Sequence, residues 1–312
     1  MSKFEVFIQV FFATLSVYTV PSSSHNKMAG EGFAFIKQFP FIVSVQEFGK
    51  RHICSGTLVS MGHVLTTARC VSLRKENSTV VFTREPEELS VVSGLIDLTS
   101  YNPKKQNRTV RGVYLHPGYG FRNIVDTIYL HDMAIVELSK IFIKDYFTMT
   151  APFSPRKDAA DDLEKYKNNK AKCLHTGWQF GSTGKTNKSS TKLKFVKMVL
   201  MTNSECSIYL CSLSTAYCKN LQPDLMCAVP ETRVSSFTDA GGPLICKGKI
   251  FGLNIYNEET IGGPKPKSLY ITISDINNFI YLVKDFSCRT TAGYAIIFEL
   301  LILIVCSKLH IN

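Results

Sequence analysis

Acidic residues are scarce in this chain. Asp and Glu number 25 against 36 Lys and Arg, a formal charge of +11. The surplus points away from cationic partners and leaves two readings: solvated loops that aid solubility, or attraction to an anionic glycan, an anionic lipid surface or an acidic protein. Recognisable nucleic-acid-binding motifs are missing, so nucleic acid is not expected as a partner. Also missing are CxxC pairs and Cys/His zinc spacings, so neither a metal site nor a cofactor is expected. No internal repeat, coiled-coil heptad or low-complexity segment occurs, which excludes solenoids and fibrous folds. Apolar runs long enough to span a bilayer are lacking as well.

Both ends of the chain carry shorter apolar runs. Val6 to Val20 follows Lys3 and ends at Pro21-Ser22-Ser23-Ser24, the pattern of a secretory signal over residues 1–20. Ala295 to Cys306 is apolar but interrupted by Glu299. Three readings of this tail at 287–312 stand: a lipid-anchor signal, a short membrane anchor, or a segment packed on the body. Export fits the ten cysteines, read as disulfides. It also fits three glycosylation triplets, at Asn77, Asn107 and Asn187.

Between these ends, short runs of β-branched and aromatic residues alternate with turn residues from about residue 39. Examples are Phe41–Val45, His63–Thr67, Met133–Leu138, Lys249–Ile255 and Ser268–Ile273. The pattern predicts an all-β sandwich or barrel architecture. Only two stretches read as helical: Ser274–Asp285, with Ile276, Phe279, Ile280 and Val283 at helical spacing, and a lysine-rich surface segment over 155–172.

Six segments then occur in a familiar order. They are Phe39-Pro40-Phe41-Ile42-Val43-Ser44-Val45-Gln46; Cys54-Ser55-Gly56-Thr57-Leu58-Val59-Ser60 with Val64 to Cys70; His116-Pro117-Gly118-Tyr119; His131-Asp132-Met133-Ala134-Ile135-Val136-Glu137-Leu138; Cys173 to Trp178; and Thr238-Asp239-Ala240-Gly241-Gly242-Pro243-Leu244. Together they resemble the chymotrypsin/trypsin-like serine proteases. The resemblance implies two six-stranded antiparallel β-barrels with a C-terminal helix, the homology domain covering 28–286 after a short linker at 21–27. It also implies an active site in the cleft between the barrels.

The family's catalytic His, Asp and Ser correspond here to Arg69, Asp132 and Ala240. A guanidinium holds its proton and accepts no hydrogen bond, and alanine has no heteroatom, so neither a general base nor a nucleophile is expected. Asp132 is expected beside Arg69, as its ion-pair partner. The oxyanion-loop glycine corresponds to Thr238, and the base of the specificity pocket to Val234. The substrate-facing strand corresponds to Ile255, Tyr256 and Asn257. Ser235, Ser236, His63 and His131 are the residues from which a relocated catalytic pair would have to be built.

The resemblance also implies disulfides Cys54–Cys70, Cys173–Cys246 and Cys206–Cys227. Cys211 and Cys218 could close a local loop, and the pairing of these two with Cys288 and Cys306 stays open. Activation in the family cuts after a basic residue; the matching bond is Lys27–Met28, whose new amine would meet Asp239. The alternative is a chain that is never cut. Function then reads as a secreted pseudoprotease, an extracellular binding or regulatory protein such as a cofactor or decoy in a proteolytic cascade or a component of a reproductive secretion. The competing readings are a membrane-tethered adhesion or anion-binding protein, and a residual serine endopeptidase with a relocated nucleophile.

Overall fold

The computed structural model describes residues 31–120, 129–155, 157–178, 191–213, 224–232, 239–258 and 266–283. The signal segment, the apolar tail, Asn187, Cys218, Cys288, Cys306, Val234, Ser235, Ser236 and Thr238 lie outside them. In chain order the first half forms β1 (Glu31–Phe33), β2 (Ile42–Glu47), β3 (Arg51–Ser60), β4 (His63–Thr66), β5 (Ser72–Arg74), β6 (Val81–Thr83), β7 (Leu89–Ser93), β8 (Gln106–Leu115) and β9 (Ala134–Leu138). Strands β2-β3-β4-β9-β8-β7 close into an antiparallel barrel, which leaves no open sheet edge. Its interior is filled by Val43, Val45, Leu58, Val64, Val91, Val110 and Val136, β-branched and aliphatic side chains that suit the pleated wall. Phe48 and Gly49 turn the β2–β3 hairpin, both with positive φ (50° and 66°), the handedness that matches strand twist.

The second half adds α1 (Ala159–Asn168), β10 (Lys172–Gly177), β11 (Lys194–Leu200), α2 (Asn203–Leu213), β12 (Leu225–Pro230), β13 (Pro243–Cys246), β14 (Lys249–Asn257) and β15 (Ser268–Thr272). Strands β11-β10-β13-β14-β15-β12 close a second six-stranded barrel because β12 also pairs with β11, and β1 adds a seventh strand along β11. The strand pattern thus begins at Glu31, earlier than the sequence suggests, because a three-residue strand is too short to show alternation. Val196, Met198, Leu244, Phe251, Leu253 and Leu269 fill this barrel, and Leu65, Met133 and Ile135 of the first barrel join the same cluster. That shared apolar seam fixes the cleft between the two bodies.

All three implied disulfides form: Cys54–Cys70, Cys173–Cys246 and Cys206–Cys227. Cys211 is also disulfide-bonded. A terminal helix, α3, runs over 273–283 and buries Ile276, Phe279 and Val283. The 155–172 segment contains α1, which buries Ala159, Leu163 and the stem of Lys167 at four-residue spacing. Helix α2 corrects the reading of only two helical stretches. Its apolar and polar residues follow no helical stripe, but Thr202 starts it with a capping box: Thr202 N donates to Glu205 Oε2 at 2.9 Å and Glu205 N to Thr202 Oγ1 at 3.3 Å.

Candidate functional site in the cleft between the barrels

Three chain segments deliver the implied triad positions. Arg69 sits in a single 3₁₀ turn, Ala68–Cys70, directly after β4 and stapled to β3 by Cys54–Cys70. Asp132 follows His131, whose φ of 43° turns the chain into β9. Ala240 precedes Gly241, whose φ is 81°. Only glycine fits there, since a Cβ would stand 2.1 Å from the Ser55 carbonyl oxygen. Ser55 N donates to Ala240 O at 3.1 Å and Gly241 N to Asn254 O at 2.9 Å, so the turn is pinned to both barrels.

Arg69 and Asp132 do pair. The Arg69 backbone N–H donates to Asp132 Oδ1 at 2.9 Å, and its Nε lies 3.3 Å from Asp132 Oδ2. Arg69 Nη2 donates across the cleft to the Ile255 carbonyl, and the guanidinium lies 5.7 Å from the Tyr129 ring centre. One side chain therefore bridges a loop of the first barrel and strand β14 of the second. Asp132 is 1% exposed. Burial pushes its carboxyl above the usual range, against the pull of the Arg69 charge and the Arg69 and Ala68 N–H groups.

Arg69 and Ala240 line one cavity of about 420 Å³ together with Ile53, Cys54, Cys70, Arg84, Tyr256 and Asn257. Tyr256 and Asn257 face this cavity, whereas Ile255 is buried and contributes its carbonyl to Arg69. Arg84 escapes sequence reasoning because it lies in a loop outside every matched segment. It donates to Glu47 Oε1 at 2.6 Å.

Asp239, next to Ala240, is fully enclosed. Its Oδ1 accepts from Ser55 N at 3.1 Å and lies 3.4 Å from His52 Nε2. Its Oδ2 accepts from Ser55 Oγ and from Trp178 N, each at 2.5 Å. His52 Nδ1 lies 2.8 Å from Ser44 Oγ. Burial raises the Asp239 carboxyl, but His52 and the Ser55 and Trp178 donors outweigh it and hold the group below the usual range. The sequence offers Asp239 as partner of a new chain-terminal amine if the Lys27–Met28 bond, outside the described residues, is cut; it does not announce this network. The sequence signal for it is the polar trio Ser44, His52 and Ser55 on the paired strands β2 and β3.

The family model described as Trypsin matches residues 30–280. The chain belongs to the trypsin family. Mouse epidermal growth factor-binding protein type B is 26% identical over 251 residues, 77% of this chain and 83% of the relative. Mouse kallikrein 1-related peptidase b1 is 27% identical over 250 residues, again 77% and 83%. Among solved structures, mouse neuropsin superposes with a TM-score of 0.61 at 21% identity, covering 81% of this chain and 98% of that one. Human heparin binding protein gives 0.59 at 20% identity, covering 83% and 97%. At that identity the two structures speak to the fold alone.

Of the proposed glycan acceptors, Asn77 and Asn107 are exposed. The cationic segment at 165–172 is partly neutralised: Lys170 Nζ lies 2.7 Å from Glu205, Lys172 pairs with Glu231, and Lys167 is buried against Asn203 at 2.9 Å. Among the described residues, no helix is long and apolar enough to cross a membrane.

Proposed function

We propose that this trypsin-family chain is a non-catalytic homologue that acts outside the cell by binding, as a regulator, cofactor or decoy for an extracellular protein partner in a proteolytic cascade or a reproductive secretion. The observation that carries the reading is the occupancy of the cleft. Arg69 takes the place of the family's base, spends its guanidinium on Asp132 and the Ile255 carbonyl, and can accept no proton. Ala240 takes the place of the nucleophile and offers only a methyl group to the cavity. The members of such a triad act as a unit, so losing two removes the chemistry and not merely part of its rate. What survives is the scaffold: both barrels, three disulfides and a cavity of about 420 Å³ between the barrels.

The secretory signal and the exposed Asn77 and Asn107 support export and glycosylation. Digestion of a proteome-derived peptide library tests the loss of activity: no cleavage above a buffer control is expected, and a reproducible cleavage motif would overturn it. Affinity capture from extracellular fluid with the intact protein, with and without Arg69→Glu, tests the binding role. Partners lost on that substitution would place the interaction at the cleft.

The formal charge of +11 favours a second reading, a tethered adhesion or anion-binding protein. Lys104 and Lys105 form an exposed cationic pair. Retention on heparin that falls after Lys104→Glu and Lys105→Glu supports it; unchanged retention removes that surface. Release from membranes by phospholipase, or by detergent only, separates a lipid anchor from a membrane-inserted tail.

A further inference from the structure

Outside the lining of the cleft cavity, three ligand-bearing side chains converge from distant parts of the chain. His116 lies at the turn after β8, His131 immediately before Asp132, and Asp275 in the first turn of α3. One ligating atom from each lies within 4.8 Å of the others; His116 and His131 are half-buried and Asp275 is 9% exposed. His131 Nδ1 stands 3.4 Å from Asp275 Oδ2, close to the separation of two ligands on one tetrahedral ion. The His116 and His131 rings stack at 4.6 Å and 21°, and the edge of Phe279 holds His116 from α3 at 5.1 Å. Gly118 makes the convergence possible, since a Cβ there would fall 2.7 Å from the His131 ring. Asp224 adds negative charge beside His131 and Asp275.

We propose that His116, His131 and Asp275 form a site for a divalent transition-metal ion, zinc being the ion that suits it. Two imidazoles and one carboxylate make a borderline-soft donor set, which zinc accepts and which calcium and magnesium, with their preference for oxygen, do not. Three protein ligands leave a position for water. No short motif announces the site, because residues 116, 131 and 275 meet only through tertiary structure. The cost of occupancy is also visible: His116 Nδ1 accepts the Gly118 N–H at 3.1 Å, and binding an ion through either ring nitrogen disturbs that bond. A micromolar affinity is therefore expected, not a nanomolar one. The ion would join the segment that carries Asp132, and through it Arg69, to the C-terminal helix of the other barrel.

Titration calorimetry of the secreted full chain, produced without a histidine tag and stripped with chelator, tests the site with zinc chloride alone. One equivalent should bind with micromolar affinity, calcium should give no heat, and zinc should raise the thermal midpoint. Asp275→Asn and His116→Gln should each weaken binding at least tenfold while leaving the chelated midpoint near that of the parent. Cobalt substitution should give a visible ligand-field band that both variants lose. Absence of saturable binding at millimolar zinc would overturn the proposal. So would undiminished binding in both variants, which would place the metal on other histidines such as His25 or His310.

Discussion

Replacing Arg69 by methionine isolates the role of the guanidinium. Methionine keeps much of the aliphatic stem and leaves the backbone N–H to Asp132 intact, but removes the charge 3.3 Å from Asp132 Oδ2 and the donor to Ile255. Breaking a fully buried ion pair costs about 3–5 kcal/mol, and an exposed one about 0–1. The Asp132 side chain is 1% exposed and that of Arg69 26%, so about 2 kcal/mol is expected at pH 7. In a domain of this size that lowers the thermal midpoint by about 4–8 °C. Adding Asp132→Asn to Arg69→Met removes the stranded charge and should recover more than half of the loss, a positive coupling in a double-mutant cycle. The pH dependence follows from linkage. Burial already raises the Asp132 carboxyl above 3.8, and losing Arg69 raises it further. A raised aspartate favours folding at low pH and loses that contribution as pH rises through its folded value. The Arg69→Met deficit should therefore shrink as pH is lowered from 7 toward 4. Differential scanning calorimetry at the two pH values measures this. A midpoint shift below about 1 °C at pH 7, or strict additivity in the cycle, would refute the picture of Arg69 as the counter-charge that holds the cleft together.

Three further outcomes follow from the same geometry. Asp239→Ala strands the buried Ser55 and Trp178 donors and should cost about 3 kcal/mol or more in urea unfolding. Because the Asp239 carboxyl is held below 3.8, its contribution is present above that pH and lost as pH falls beneath it, so the gap between parent and variant should narrow in acid. Gly241→Ala places a Cβ 2.1 Å from Ser55 O at a φ of 81° and should cost about 3 kcal/mol or more, seen as a lower urea midpoint or failed secretion. Thr202→Ala removes one half of the α2 capping box and should cost about 1 kcal/mol by the same measurement, with β-barrel circular dichroism unchanged.

The barrels were readable because their strands carry dense β-branched runs and because six short segments keep a family's order. The terminal helix was readable from Ile276, Phe279, Ile280 and Val283, whose spacing defines one face. Helix α2 was not, because Cys206, Tyr209 and Leu210 face inward from a segment whose exposed side includes Ile208, which blurs the apolar stripe. Its legible sign was local: Thr202 followed by Glu205. At the cleft, the identities of Arg69, Asp132 and Ala240 were visible in the sequence, as was the pairing of the first two. The reach of Arg69 to the Ile255 carbonyl was not, since it joins residues 186 positions apart and depends on how the two barrels are set against each other. The Asp239 network and the His116, His131 and Asp275 cluster were hidden for the same reason: their members are polar residues with no shared spacing, united only by packing.

The central claim, that the cleft no longer performs acyl transfer, is tested most directly by a fluorophosphonate probe, which reports any activated serine whatever its position. The purified, secreted full chain should take up no probe under conditions that saturate trypsin, and intact-mass spectrometry should return the unmodified protein. A stoichiometric adduct mapped to Ser235, Ser236 or any other serine, and abolished by its replacement with alanine, would contradict the account.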